Sequence, residues 1–189
     1  MTDTLPTDPS EFQSEKPPCI RAAMMEYAVY DIRADFSRKL DLVIADFMRA
    51  NSKLDRPTAF MLASRQLDER LNPYIEASEN IMRPYRTTLS NAQDLERQGQ
   101  LEGAIVLYEK LVEACFPAPF PYERLRILYT KQKRYHEAVV ACQNYIFALK
   151  MLSFENRPQH IKQIDDYEEH IEKLKAKMGK NHSFKISDR

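Results

Sequence analysis

The motif RQGQLEGAIVLYEKLVEA, residues 97–114, returns further along the chain as KQKRYHEAVVACQNYIFA, residues 131–148. The two copies align without a gap, at the constant offset that places Ala104 on Ala138. A fixed period of about 20 to 50 residues is typical of proteins built from stacked structural repeats. The stretch therefore predicts a repeated unit of two antiparallel helices.

A small residue early in the second helix of each unit allows the two helices of that unit to approach closely. Apolar residues follow Ala104 and Ala138 at spacings of three and four, which places them on one buried face of the helix. These residues are Tyr108, Leu111 and Val112 in the first copy, and Val139, Cys142, Tyr145 and Ile146 in the second. Each second helix is therefore expected to bury one side.

The turn within each unit differs between the copies. Gly99 can end the first helix of the first copy with a positive φ, as glycine often does at helix C-termini. Lys133 occupies the same place in the second copy, so we expect that turn to close differently.

These features resemble the tetratricopeptide repeat (TPR) family, over about two repeats within residues 85–152. The offset from Ala104 to Ala138 equals the period of roughly 34 residues that this family shows. With Ala104 as the twentieth position of its unit, the family pattern is matched by Ala92 and Leu95 in the first unit, and by Tyr122, Leu125 and Tyr129 in the second. Arg126 and Thr88 depart from it, because the family has a small residue and a large aromatic there, and the expected proline is displaced to Pro117.

The resemblance implies an all-α fold, an antiparallel helix-pair (TPR-like) solenoid with an N-terminal helical extension and a C-terminal capping helix. Scarce glycine, three residues in 189, agrees with an all-helical chain. The predicted segments are a disordered N-terminal tail (1–18), the helical extension (19–84), two repeats (85–152), the capping helix (153–179) and a flexible tail (180–189).

Residues 20–51 predict one long helix with a kink between residues 31 and 37. Its apolar stripe comprises Ile32, Phe36, Leu40, Val43 and Phe47. Such a stripe must pack on something, either the following helices or a second copy of the chain. The proline-bearing tail before it offers, as an alternative to simple disorder, a short linear motif for a partner.

Asp55 is a candidate N-cap for the next helix. The buried stripe of that helix is predicted to contain Phe60, Ala63, Leu67 and Leu71. Pro73 is expected to break or kink the helix and Pro84 to break it, because proline lacks the amide proton of a helical hydrogen bond.

The helix at residues 159–178 combines a charged surface with a narrow apolar stripe and is predicted to end at Gly179. The stripe consists of Ile161, Ile164, Tyr167 or Glu168, Ile171, Leu174 and Met178. A terminal repeat needs a helix of this kind to cover its last apolar face. The stripe would also suit a coiled-coil partner.

Composition and motifs argue against several functions. The formal net charge is zero, so the chain lacks the excess of basic residues that is typical of a general nucleic-acid-binding protein. Three widely spaced cysteines without a CxxC motif favour neither a disulfide framework nor a zinc site, and fit a reducing, cytoplasmic location. No apolar run of about 18 residues predicts a membrane span. No catalytic motif, metal site or cofactor site is recognised, so we expect a protein that is not an enzyme.

In the family, the first helices of the repeats line a concave binding face. The residues that would lie there, and form the partner-binding site, are Arg86, Leu89, Gln93, Arg97, Phe120, Glu123, Ile127 and Lys131. Leu89 and Gln93 replace the lysine and asparagine of the family's carboxylate clamp, so that type of clamp is not expected. Alternatively, the helices of residues 20–82 fill this groove themselves.

The sequence therefore predicts a non-enzymatic protein that binds a protein or peptide partner. The alternative is a regulatory or assembly module that self-associates, as a possible homodimer, through the long N-terminal helix or the C-terminal helix.

Overall fold

The computed structural model describes residues 8–12, 14–152 and 158–186. These residues form an all-α protein of seven helices with antiparallel packing of neighbours, preceded by a 3-10 turn at Pro9–Glu11. The helices are α1 (Pro18–Arg38), α2 (Leu40–Ala50), α3 (Arg56–Arg97), α4 (Leu101–Glu113), α5 (Phe120–Lys131), α6 (Tyr135–Met151) and α7 (Pro158–Ile186). The chain divides into two compact units, Met1–Glu15 with Arg21–Ile81, and Lys16–Ile20 with Met82–Arg189.

The first unit has a small core between α1 and the first part of α3. The buried members of this core are Phe12, Met25, Val29, Leu71 and Tyr74. The ring of Phe12 meets Tyr74 edge-on, with 6.4 Å between the ring centroids. The sequence predicts disorder for residues 1–18, but Phe12 is buried because its ring has an aromatic partner; residues 1–7 and 13 lie outside the described residues.

The predicted long N-terminal helix is interrupted at Lys39, just beyond the expected kink. The amide of Lys39 donates to the carbonyls of Asp35 and Phe36, and its backbone leaves the helical region at φ −99° and ψ 7°. The chain then continues as α2, in which Ile44 is the buried residue.

Helix α3 begins as predicted. Asp55 Oδ1 accepts a hydrogen bond from the amide of Thr58 at 2.9 Å, and this bonding lowers the pKa of Asp55. Of the predicted stripe, Ala63 and Leu71 are buried and Leu67 is half-buried, but Phe60 is 44% exposed, and Ala59 beside it is fully buried instead. The methyl group of Ala59 is small enough for a close helix contact.

Helix α3 runs through both prolines, so the break predicted at Pro84 is wrong, and of the two outcomes predicted at Pro73 a break does not occur. Pro73 cannot donate a helical hydrogen bond to the carbonyl of Glu69, and Pro84 cannot donate one to the carbonyl of Asn80. All four residues are exposed, so water is available to replace the missing bonds. Buried residues between and beside the prolines, such as Leu71 and Met82, hold the helix in place by packing.

In the second unit, α4 to α7 pack against one another in chain order. Ala104 and Ala138 are fully buried, as predicted. Tyr122, Tyr145 and Tyr167 connect α5, α6 and α7 through successive ring contacts, with centroid distances of 5.0 and 4.6 Å. Aromatic contacts therefore run through three helices of this unit.

A short N-terminal piece, Lys16–Ile20, also belongs to the second unit. Cys19 and Ile20 are fully buried, and Lys16 Nζ donates to the carbonyl of Met151 at 3.0 Å. Burial, with a further contribution from Cys115, raises the pKa of Cys19 to about 12. This thiol is therefore part of the core rather than a reactive group.

The α3–α4 and α5–α6 turns close in the same way. Gly99 and Lys133 are both left-handed, with φ of 76° and 61°. The amides of Gly99, Gln100, Lys133 and Arg134 donate to the carbonyls of Glu96, Leu95, Thr130 and Tyr129 at 3.0, 2.9, 3.1 and 2.8 Å. This pair of bonds is the Schellman motif. The expectation of a different turn at Lys133 is therefore wrong; its side chain is exposed, and Arg134 stacks 4.4 Å from the Tyr129 ring centroid.

Helix α7 extends to Ile186, so the predicted end at Gly179 is wrong. A glycine inside a helix costs about 1 kcal/mol but does not by itself stop the helix. The stripe is buried at Tyr167, Ile171 and Leu174, but it starts at His160, and Ile161 is 46% exposed. Residues 153–157 and 187–189 lie outside the described part of the chain.

The left-handed Lys133 leads to a stability prediction. Lys133→Gly should raise the free energy of unfolding by about 1 kcal/mol, because glycine adopts positive φ without steric cost. For a chain of this size the midpoint of thermal unfolding should rise by about 2–4 °C. Lys110→Gly, in the exposed interior of α4, is the control and should be destabilising by a similar amount. A lower midpoint for Lys133→Gly would contradict the turn geometry.

Candidate functional site

The eight residues predicted to bind a partner lie on two helices of the second unit, four on α3 and four on α5. Leu89, Gln93 and Ile127 are half-buried, and the other five are exposed. The exposed residues are Arg86, Arg97, Phe120, Glu123 and Lys131. Side chains on this surface thus combine apolar area with charges of both signs.

Two of the charged groups have partners on their own helix. Arg97 Nη1 lies 2.7 Å from Asp94 Oδ1, and Glu123 Oε1 lies 3.7 Å from Arg126 Nη2. The Arg97–Asp94 pair is exposed and contributes about 0–1 kcal/mol to stability, so a ligand can displace it at little cost, whereas Arg126 is half-buried. The ring of Phe120 packs edge-on against Tyr108 with 6.2 Å between centroids, while 37% of the residue stays exposed.

The most strongly bonded group next to this surface is the carboxylate of Glu96. Tyr108 Oη donates to Glu96 Oε2 at 2.9 Å, and Arg124 Nε donates to the same oxygen at 3.1 Å. Arg124 Nη2 donates to the other oxygen, Oε1. The side chain of Glu96 is only 16% exposed, so this bonding joins α3, α4 and α5 away from bulk water.

The protonation of this cluster follows from its contacts. The hydrogen bond from Arg124 holds the pKa of Glu96 below its ordinary value of 4.5. Burial, followed by the hydrogen bond to Glu96, raises the pKa of Tyr108. Glu96 is therefore ionised and Tyr108 neutral at pH 7. Since these groups satisfy one another, Glu96 serves as a connection between helices rather than as a free ligand group.

Two further bonds connect α5 and its C-cap residue Gln132 to α4. Tyr129 Oη donates to Glu109, and Gln132 Nε2 donates to Glu102 Oε1 at 2.7 Å. With the Glu96 cluster, they fix the helix that carries Phe120, Glu123, Ile127 and Lys131. This half of the predicted surface is thus held at several points along its length.

A pocket of about 300 Å³ lies between α5 and α7, and we refer to it as the α5–α7 pocket. Glu123 and Arg126 line it from α5, and Asp166, Glu169 and His170 are among its lining residues on α7. Sequence reasoning identified Glu123 but missed the others. The available signal was Arg126, an arginine at a position where the family pattern has a small residue.

The remaining side chains that could take part in chemistry are two cysteines and the possible metal ligands. Burial raises the pKa of Cys142 to about 11, and burial also raises the pKa of Cys115. Among the residues that the structure describes, no three His, Cys, Asp or Glu side chains are grouped so that they could hold a metal ion. Asp166 and Glu169, which belong to the acidic sequence of residues 165–169 on α7, line the α5–α7 pocket.

Comparison with known proteins gives no assignment: no family model, no curated protein and no solved structure matches the chain significantly. Within the described residues, no helix has the length and apolar character needed to cross a membrane.

The Glu96 cluster predicts a pH-dependent stability. Because its pKa is lowered, Glu96 stabilises the fold at pH values above 4.5, and this contribution is lost as the pH falls through the lowered pKa. Glu96→Gln should therefore reduce the free energy of unfolding at pH 7 by about 2 kcal/mol. Urea unfolding of both proteins between pH 7 and about pH 3 should show the difference shrinking toward the acidic end.

Glu113→Gln, on the exposed surface of α4, is the matched control and should change stability by less than about 0.5 kcal/mol at every pH. A pH-independent difference between wild type and Glu96→Gln would argue against an ionised, hydrogen-bonded Glu96.

Proposed function

We propose that residues 85–152 form two TPR-like repeats and that the protein is a non-enzymatic, cytoplasmic helical-repeat protein that binds another protein. In this proposal, the helices of residues 19–84 form an N-terminal extension and α7 caps the repeats. The observation that carries the proposal is the spacing of the turns at Gly99 and Lys133; both have positive φ and the same pair of hydrogen bonds, a geometry that the turn at Cys115 after α4 shares. These two turns are separated by the offset that relates the two sequence copies.

Packing supports the same view. Ala104 and Ala138, the equivalent small residues, are both fully buried. Helix α3 ends at Arg97 and α5 at Lys131, while α4 begins at Leu101 and α6 at Tyr135, again at the same offset. A common period in turns, helix ends and buried alanines is what a repeated unit requires.

The binding face would be the concave side formed by the C-terminal part of α3 and by α5. A peptide or partner helix would make apolar contact with Leu89, Phe120 and Ile127. Its charged groups would meet Arg86, Arg97 and Lys131. Phe120 suits this role because its ring is anchored on Tyr108 and still presents surface to solvent, so binding costs little side-chain entropy.

A charge-reversal variant tests this face. We would select peptides from a displayed random library on the full chain and measure their affinity by calorimetry. Arg97→Glu with Lys131→Glu should weaken binding at least tenfold, because repulsion replaces attraction at the face. Lys110→Glu with Lys150→Glu makes the same change of charge on exposed positions of α4 and α6 and should leave the affinity unchanged. Failure to recover any specific peptide, or equal effects of the two variants, would contradict the proposal.

Self-association is a second candidate, and a specific observation in the first unit favours it. Leu42 on α2 is 69% exposed and Met61 on α3 is 64% exposed, and Phe60 and Leu62 beside Met61 are also exposed. Exposed apolar patches often mark interaction sites, and Phe60, Met61 and Leu62 are three consecutive exposed apolar residues. The C-terminal helix is less suited to this role, because Tyr167, Ile171 and Leu174 of its stripe are already buried.

Light scattering on the full chain tests this candidate. Self-association predicts a mass of twice 22.2 kDa or more at micromolar concentration, and Leu42→Lys with Met61→Lys should return it to 22.2 kDa. Lys substitution of exposed Tyr30 on α1 is the control and should not change the mass. A wild-type mass equal to that of the single chain at all concentrations would exclude this candidate.

A further inference from the structure

The α5–α7 pocket carries more negative than positive charge. Its lining residues include three carboxylates, Glu123, Asp166 and Glu169, and one guanidinium, Arg126. His170 adds no charge at pH 7, because burial and then the neighbouring Arg126 lower the pKa of its imidazole. The pocket therefore attracts a cation.

The carboxylates are incompletely neutralised by their neighbours. Glu169 pairs with Lys173 at 2.7 Å in an exposed pair, and Glu123 lies 3.7 Å from Arg126, beyond hydrogen-bond distance. Asp166 forms no ion pair with any other residue that the structure describes. An incoming cation would thus meet at least one carboxylate without a partner and another that is weakly paired.

Tyr167 gives independent support for a ligand. It lines the pocket although the residue is more than nine-tenths buried, and its hydroxyl group bonds to no other described residue. The phenolic oxygen itself is not enclosed, so it is open to the pocket. Its ring also contacts His170 edge-on, at 5.9 Å between centroids, which fixes its position. A donor entering the pocket would satisfy the phenolic oxygen.

From these observations we infer that the α5–α7 pocket binds a basic side chain, lysine or arginine, of a partner peptide. Ammonium and guanidinium groups offer three or five N–H donors and no acceptor, which complements carboxylate and phenol oxygens. The inference rests on the proposed function, because Glu123 belongs both to the pocket and to the predicted binding face. It adds that the partner carries a basic residue at this end of the face, whereas Arg86, Arg97 and Lys131 would meet its acidic or polar residues.

The test uses the full chain and defined probes, so that it does not depend on finding the natural partner. Ac-Gly-Arg-Gly-NH2 is titrated into ¹⁵N-labelled protein and compared with the citrulline peptide, which has the same shape without the charge. We expect saturable shifts of amide signals around Glu123, Asp166 and His170, and at least tenfold weaker binding of the citrulline peptide. N-acetyl-arginine amide tests whether the side chain alone suffices.

Variants then assign the site. Glu123→Gln with Asp166→Asn should weaken binding of the arginine peptide at least tenfold, whereas Glu113→Gln with Glu172→Gln, both exposed and outside the pocket, should not. Arg126→Gln should strengthen it, because it removes a repelling charge; thermal unfolding followed by circular dichroism checks that this half-buried site remains folded. Binding of Ac-Gly-Glu-Gly-NH2 that is lost in Arg126→Gln would overturn the inference, as would equal binding of arginine and citrulline peptides or no shifts at all.

The two proposals can fail separately. The selected peptides could lack a basic residue and bind with an affinity that depends on Arg97 and Lys131 but is unchanged in Glu123→Gln with Asp166→Asn. That result would overturn the pocket inference and leave the proposed function standing. Conversely, the arginine peptide could bind in the pocket while Arg97→Glu with Lys131→Glu leaves the affinity for longer peptides unchanged. That result would overturn the proposed binding face and leave the pocket inference standing.

Discussion

A carboxylate shielded from water organises the second unit. Glu96 sits one residue before the end of α3 and requires partners once α4 and α5 pack over it. Tyr108 and Arg124 supply them, so three helices share one ionic cluster. An ionised group in such a position would be strongly destabilising if either helix shifted, because its desolvation would no longer be offset. The cluster therefore restricts the relative placement of the helices more sharply than apolar packing alone.

Sequence patterns predicted the second unit better than the first for a physical reason. Ala104 and Ala138 are informative because only a small residue fits a close helix contact, and both are buried. Where two neighbouring residues could each occupy a buried position, the more hydrophobic one was predicted to be buried and this was wrong. Phe60 was predicted instead of Ala59, and Ile161 instead of His160. Packing depends on shape and depth at a particular helix crossing, which a periodic pattern alone does not contain.

Local rules failed where tertiary structure supplied compensation. Lys133 adopts the conformation of Gly99 because two backbone hydrogen bonds and the stacking of Arg134 outweigh the cost of a left-handed lysine. The candidate site shows the same limit. The sequence placed Glu123 on a surface, but it could not reveal the pocket, since Asp166 and His170 come from a helix much further along the chain whose position is set by tertiary packing.

The burial of Cys19 and Ile20 makes the second unit discontinuous in sequence. Its N-terminal piece is separated from the rest by residues 21–81, and Lys16 bonds to a carbonyl 135 residues away. Helices α4 to α7 mostly contact their neighbours in the chain, and such local contacts form quickly. The contact between residues 16–20 and the rest of the unit must close a long loop, which costs conformational entropy, so we expect it to form late. A fragment beginning at Met82 would lack two fully buried residues. The boundary between the units is therefore not a site at which the chain can be cut into independent domains.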